Sequence, residues 1–597
     1  MMPAIRLHLR ATAAVLLAAA AIAGGCSGPP PEPVIAKAVA PVAPKHDEAL
    51  TLPSVRFTEI TSDAGIHFVH QNFARGEKFL PETMGSGVAF FDADNDGDQD
   101  LFFVNSAPWP GQSITEELSP PPYPALYRND GKGHFEDVTA DSGLAQMIRG
   151  MGVGCGDFDR DGDTDLYITA VGGGFLFRND GKGHFEDVTE TAKVKGRDGW
   201  QSSAAFFDAD NDGDLDLFVG YYVVWSAEID RGITTHLAGR DSLAYDPPNA
   251  FGGTENILFR NEGDGTFTDI SESAGIQIRT PDLKAPMAKT LGIAPRDIDG
   301  DGLVDLAIAN DTVPNFLFHN LGGGKFEEMG MLAGMAFDQA GQARGAMGID
   351  WGEFRDDGSV ALAVANFANE MMALFVADNP TSLGFTDLAN LYGLGAATQP
   401  PLKFGLFFFD FDLDGRSDLL SANGHLESDI ALVQASETYP QAAQLFWNSG
   451  RIGRTLFVPM TAQTTGPDLF RPIVGRGSAY ADIDADGDLD VVLTANGGPA
   501  MLLRNDGGNA HHWARLKLVG SKSNPEAIGA RVVARVGDRT HRLQLFPSKG
   551  YLSSVELPLT IGLGDASKID ELTVTWPSGS TTELKDVAAD RLHEIRE

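Results

Sequence analysis

Residues 92–100 read Asp92-Ala93-Asp94-Asn95-Asp96-Gly97-Asp98-Gln99-Asp100, with Asp at positions 1, 3, 5 and 9 and Gly at position 6. Hard cations take about six to eight oxygen ligands, and a chain that bends tightly around one needs Gly at the bend. The spacing is therefore that of a calcium loop. It recurs with Asp157, Asp159, Asp161 and Asp165; with Asp208, Asp210, Asp212 and Asp216; and with Asp297, Asp299, Asp301 and Asp305. Two further copies use Asp410, Asp412, Asp414 and Asp418, and Asp482, Asp484, Asp486 and Asp490. A seventh copy, starting at Glu353, has lost the pattern, with Arg355 at position 3 and Ala361 at position 9. Carboxylates crowded this closely repel without a cation. A set of metal-free Asx turns is the competing reading. The expectation is about six structural Ca²⁺; Mg²⁺ fits such a flexible loop poorly because it demands a near-octahedral shell.

Short apolar runs flank each loop. In the first unit they are Gly87–Phe91, Leu101–Val104, Leu126–Asn129 and Phe135–Thr139, with a Gly-rich turn, Asp130–Gly133, between the last two. The third and fourth runs return as Leu176-Phe-Arg-Asn179 with Phe185, Leu258-Phe-Arg-Asn261 with Phe267, and Leu317-Phe-His-Asn320 with Phe326. Short β-rich runs between turn residues read as strands, and four per unit in seven units read as an all-β, seven-bladed β-propeller. The last unit lacks its fourth run after Leu502-Leu-Arg-Asn505, whereas Phe57-Thr-Glu-Ile-Thr61 precedes the first loop. The N-terminal run would complete the last blade and close the ring, leaving no open sheet edge.

Strand parity puts all acidic loops and all 3–4 turns on one face. The long insertions, 105–125, 221–256, 277–290, 423–444 and 462–475, fall on the other, and long loops on a rigid scaffold are where binding usually resides. Arg149, Lys289, Arg344, Lys403 and Arg476 each precede position 1 of their unit by six to nine residues. By parity they ring the channel mouth on the insertion face, where they would focus an anion; ordinary solvated or paired cations are the alternative. Asn310, Asp311 and Asn423-Gly-His425 end second strands on that face, either as ligand-binding groups or as turn formers. His425 is the member suited to proton transfer near neutral pH. Trp200, Trp225, Tyr245 and Phe251 would line a groove there or pack the loops down. No metalloprotease, serine-hydrolase, nucleotide-binding or Cys-x-x-Cys motif occurs.

The ends differ in character. Residues 1–25 combine Arg6 and Arg10 with an apolar stretch too short to span a membrane. They run into Ala23-Gly-Gly-Cys26, which resembles a bacterial lipobox, so Cys26 would carry the lipid. Ser27 in that resemblance implies outer-membrane sorting, with a plain secretory signal as the alternative. Residues 26–52 are rich in Pro and Ala and read as a stiff spacer. The propeller takes 53–507. Residues 508–597 drop the repeat, and runs at 513–518, 530–533, 543–546 and 572–576 read as a separate small β domain. The formal charge of −38 follows largely from the loops and argues against a nucleic-acid partner. Cys155 lies in an apolar first-strand run and reads as inert core, and with Cys26 assigned to lipid no disulfide can be drawn.

The repeats resemble FG-GAP (VCBS-type) repeats of integrin-α-like propellers. Ser523-Asn524, Ile528-Gly-Ala-Arg-Val532, Gly562-Leu-Gly564 and Trp576-Pro-Ser-Gly579 resemble the ASPIC/UnbV domain, with Pro525 in place of the usual Arg. The combination is similar to the cartilage acidic protein family. The resemblance implies that positions 1, 3, 5 and 9 ligate through side chains and position 7 through its carbonyl. It specifies architecture more than activity. The expected function is a monomeric, membrane-tethered, extracytoplasmic scaffold, outer-membrane, cell-surface or periplasmic, that binds a protein or glycan through the insertion face. The alternative is an enzyme of non-redox biosynthetic chemistry, with His425 and Asp311 at the channel mouth.

Overall fold

The first blade begins with Val88–Phe91, every residue of which is buried, and continues through Asp100–Phe103, Ala125–Asn129 and Phe135–Asp137 as an antiparallel meander. The protein is described by a computed structural model over residues 50–112 and 121–597. The leader, Cys26 and most of the Pro/Ala-rich stretch lie outside those residues. Among the described residues the same four-strand meander recurs in seven successive sheets. The first strands of neighbouring sheets touch in cyclic order. They run from Val88–Phe91 through Gly150–Cys155, Gln201–Phe207, Thr290–Arg296, Ala346–Glu353, Lys403–Phe409 and Gly475–Ala481, and back to Val88–Phe91. This is a β-propeller. Its last sheet is completed by Arg56–Glu59, which pairs antiparallel with Met501–Asp506.

Two residues of the repeat join neighbouring blades. In several blades the Phe opening the fourth strand packs edge-on or tilted against an aromatic of the adjacent blade. Examples are Phe185 on Phe91, Phe267 on Phe158 and Phe326 on Phe207, with ring centroids 5.8–6.4 Å apart. The Asn closing each third strand reaches across with its amide. Asn179 Nδ2 donates to the Ala93 carbonyl of the preceding blade at 2.9 Å and to Thr164 of its own at 3.1 Å. Asn129, Asn261, Asn320, Asn448 and Asn505 repeat this with Ile483, Phe158, Ala209, Phe354 and Phe411. The degenerate blade ends its third strand at Ala377 and lacks the amide.

Residues 508–597 form two sheets around their own core, which includes Leu516, Val532 and Trp576. One sheet orders Leu559–Gly564, His512–Val519 and Arg591–Arg596. The other orders Arg539–Gln544, Arg531–Val536, Lys568–Thr575 and Thr581–Ala588. The segment between Gln544 and Leu559 leaves this domain and enters the propeller channel. Ser554 pairs with Ala89, Gly550 exchanges both backbone hydrogen bonds with Ile349, and Tyr551 is fully buried against Phe404. A Cβ at Gly87 would lie 2.3 Å from the Leu552 carbonyl, so the plug needs a bare backbone there.

Replacing Asn179 by Ala removes both amide bonds; the Ala93 carbonyl keeps the Gly183 N–H, and the Thr164 carbonyl is left without its donor at a cost of about 1–3 kcal/mol. The expected outcome is a lower urea midpoint at unchanged slope; an unchanged midpoint would show that the amide does not hold the blades together. A Cβ at Gly152 would lie 2.8 Å from Leu552 Cβ. Gly152→Val should therefore expel the plug, read as new protease cleavage between 545 and 558. Continued resistance there would contradict the tight fit.

Candidate metal centres and the opposite face

Every intact acidic loop folds by the same internal hydrogen bonds. The position-6 glycines adopt φ between +85° and +98° (Gly415 to Gly97 and Gly487), which is costly for other residues. Each donates its N–H to Oδ2 of the position-1 Asp, from Gly97 on Asp92 at 3.1 Å to Gly415 on Asp410 at 2.8 Å. The position-7 N–H closes on the position-5 carboxylate, as Asp98 on Asp96 and Arg416 on Asp414. Position 9 is a strap. Asp100 accepts from Ala93 N with one oxygen and from Asn129 N with the other, and Asp165, Asp216, Asp305, Asp418 and Asp490 do likewise in their blades.

What these bonds leave over faces inward. Oδ1 of Asp92, Asp157 and Asp410 at position 1, and of Asp94, Asp159, Asp210, Asp412 and Asp484 at position 3, is buried without a hydrogen-bond partner. In at least five of the loops three carboxylates bring one oxygen each within 4.8 Å of one another, among them Asp92, Asp94 and Asp96, and Asp157, Asp159 and Asp165. Orphaned buried oxygens are rare and costly. An all-oxygen set on a flexible loop fits a hard divalent ion, consistent with calcium. Burial, with neighbouring carboxylates, pushes Asp157 up to about 8 and Asp208 to about 6; at Asp100, burial pushes it to about 8 against two backbone hydrogen bonds.

The seventh loop shows how the site is lost. Arg355 replaces the position-3 carboxylate and supplies the positive charge itself, bonding Tyr392 Oη at 2.6 Å and Asp357 at 3.1 Å.

The C-terminal domain grips this loop face. Three position-1 N–H groups, of Asp157, Asp297 and Asp482, donate to Glu526, Gln544 and Glu556. Arg515 bonds Asp482 at 2.7 Å, Arg531 bonds Asp297 at 2.6 Å, and Lys517 lies 3.8 Å from Asp92.

On the opposite face the five cations expected to ring the channel mouth are each turned onto fixed partners. Arg149 bonds the Pro108 carbonyl, Lys289 the Pro248 carbonyl, and Arg344 the Met371 carbonyl and Asp338. Lys403 donates to the carbonyls of Glu370, Thr398 and Pro401, and burial lowers it to about 7. Arg476 is fully buried 3.9 Å over the Phe404 ring, donating to Thr83, Gly424, Gly475 and His425. They work as clamps on loop carbonyls. Asn310 and Asn423 are fixed in turns, bonding the Pro314 and Ala442 carbonyls. Asp311 accepts from Tyr222 Oη, and burial raises it to about 6. His425 Nδ1 accepts from Glu427 N at 3.0 Å, so the ring is neutral, and burial together with Arg476 lowers it to about 4. The two share no hydrogen-bond partner among the described residues. Trp200, Trp225 and Phe251 are buried in one cluster with Phe79 and Trp109, and Tyr245 bonds Glu427 and Glu82. Sequence reasoning missed the inter-blade Asn amides and the grip of the C-terminal domain; the Asn was visible in every third run but that of the degenerate blade, yet its partner lies one blade away.

Residues 520–597 match the ASPIC and UnbV family, and residues 92–168 and 157–219 match the FG-GAP-like repeat. The chain carries FG-GAP-like repeats and an ASPIC/UnbV domain. Cartilage acidic protein 1 of Xenopus tropicalis is 24% identical over 527 residues, covering 84% of this chain and 71% of that one. The Mus musculus protein is 26% identical over 366 residues, 60% of this chain, which spans about half of that relative's length. Among solved structures, an Agrocybe aegerita lectin that recognises non-reducing terminal N-acetylglucosamine is 16% identical, with TM-score 0.40, covering 69% of this chain and 86% of its own. PorZ, a surface component of the Porphyromonas gingivalis type-IX secretion system, is 12% identical with TM-score 0.38, covering 86% of this chain and 60% of its own.

The raised carboxylates of the FG-GAP-like loops fix a pH dependence. Their folded pKa values lie above the unfolded value of about 3.9. Without metal, the folded state is thus favoured at low pH and loses that stability as pH rises through about 4 to about 8. Calcium replaces those protons, so its stabilising increment should grow with pH. Thermal melts with and without excess calcium should differ more at pH 8 than at pH 5.5; equal increments would exclude these carboxylates as ligands.

Proposed function

We propose that this chain is a calcium-pinned, exported scaffold, anchored through Cys26, that binds a protein partner through its insertion face. The observation that carries the reading is the division of faces. The ASPIC/UnbV domain occupies the acidic-loop face and plugs the channel, so the long insertions are what the propeller has left to offer. Those insertions pack on a buried aromatic cluster and are clamped by cations, which gives a rigid surface with little ordering cost on binding. Three of them expose large apolar side chains, Val224, Ile229 and Leu243 on one, Leu283 on the next, and Leu432 and Val433 on another. Exposed apolar groups gathered on loops of one face mark interaction surfaces. The neutral, tied-down His425 supports a binding role over proton-transfer chemistry.

Substituting Leu243 and Leu432 by Ser changes the surface without touching the aromatic cluster. Affinity capture from envelope extracts of the source cells should retain a partner on the wild-type protein and lose it with the double variant. Equal capture by both, with equal melting temperatures, would move the binding surface elsewhere.

A further inference from the structure

A cavity of about 160 Å³ lies where the degenerate blade and the blade of Asp410 meet the C-terminal domain. In a chain of formal charge −38 it is lined by five arginines, Arg296, Arg355 and Arg416 from the propeller and Arg539 and Arg542 from the C-terminal domain. Four carboxylates also line it, but two are already engaged. Glu556 is held by Arg515, and Asp410 belongs to its own loop's cation site. The remaining two, Glu353 and Asp356, stand 3.6 Å from Arg296 and 3.1 Å from Arg539, while Arg355 and Arg416 pair with Asp357 at 3.1 Å and Asp414 at 2.6 Å beyond the wall. Burial also raises Glu353 to about 7, so it neutralises less than a full charge.

The guanidiniums are not fully satisfied. Nε of Arg296, of Arg355 and of Arg416 is buried without a hydrogen-bond partner, and the Arg296 residue is only 8% exposed. A buried N–H without an acceptor costs about 1–3 kcal/mol, more for a charged group. An anion beside Arg296, whose ion pair with Glu353 is long at 3.6 Å, would remove that cost there. The rest of the wall is aromatic, with Trp351, Phe408 and Tyr480 prominent. A wider opening of about 520 Å³ shares Asp356, Arg416, Arg539 and His541 with the cavity and gives it a route to the surface. The loss of the acidic pattern at Glu353–Ala361 thus has a counterpart: the blade that cannot hold a cation lines the cationic cavity.

We propose that this cavity binds a small organic carboxylate, its carboxylate on the guanidiniums and its apolar body on the aromatic wall. The planar guanidinium fork matches a carboxylate in two-point geometry, and the half-apolar wall favours an anion with a flat hydrocarbon body over inorganic phosphate. The volume is below the roughly 300 Å³ at which drug-sized sites begin, which limits the ligand to about the size of benzoate.

The test is calorimetric titration of the calcium-loaded mature chain with benzoate, benzamide and inorganic phosphate. Wild-type protein should bind benzoate saturably, with Kd raised at least tenfold in Arg296→Met and in Arg539→Gln, and should bind benzamide and phosphate more weakly. Arg539 lies on an edge strand, so its variant keeps the test valid if Arg296→Met melts early. Absence of benzoate binding, equal affinity in wild type and Arg539→Gln, benzamide binding as well as benzoate, or phosphate binding as tightly as benzoate would each overturn the proposal.

Discussion

Carboxylate oxygens brought together at the first turn of each blade, closer than their mutual repulsion permits unaided, are the constraint on which the rest of the molecule depends. The position-9 aspartates accept backbone N–H groups of the loop and of the third strand with both oxygens, and Asp165, Asp305 and Asp418 also bring one oxygen to their clusters. They fix the loop to the sheet. Positions 1 and 3 are left with inward-facing oxygens that no protein donor reaches. A divalent cation held there would relieve that strain and fix the conformation from which each Asn amide reaches across to the neighbouring blade, so metal, loop and inter-blade contact would form one chain of cause.

The C-terminal domain extends that dependence. It recognises three loops by the same device, an acceptor side chain on the position-1 N–H, and adds arginines that share the position-1 carboxylates. Its plug then enters a channel whose first strands carry Gly where the plug backbone passes. Order in the loops is therefore a precondition for docking. The long insertions on the far side are held by buried aromatics and by cations bonded to carbonyls, and the plug reaches that same cluster through Tyr551 and Leu552, so the two faces meet in it.

How much of this the sequence disclosed follows from how local each contact is. Ligation dictates residue type at every alternate position, so the acidic loops, the strand order and the closing role of Phe57 could be read directly. The spacing of Lys403 and Arg476 was equally plain, but long side chains turned onto carbonyls of distant loops, which no spacing records. Trp200 and Trp225 were seen as either groove or packing, and burial decided for packing. The plug, Ser548 to Ser554, has two-residue strands with no periodicity, and its partners lie in other blades. The cationic cavity could not be read at all, because its arginines come from four separate stretches of chain.

The most direct measurement combines metal content with melting. The protein, dialysed against calcium and then against metal-free buffer, would be assayed by elemental analysis and by thermal unfolding before and after chelation. The account predicts about six calcium ions per chain, a melting temperature that falls by ten degrees or more on chelation, and recovery on adding calcium back. Negligible bound metal together with a melting temperature indifferent to chelator would contradict it.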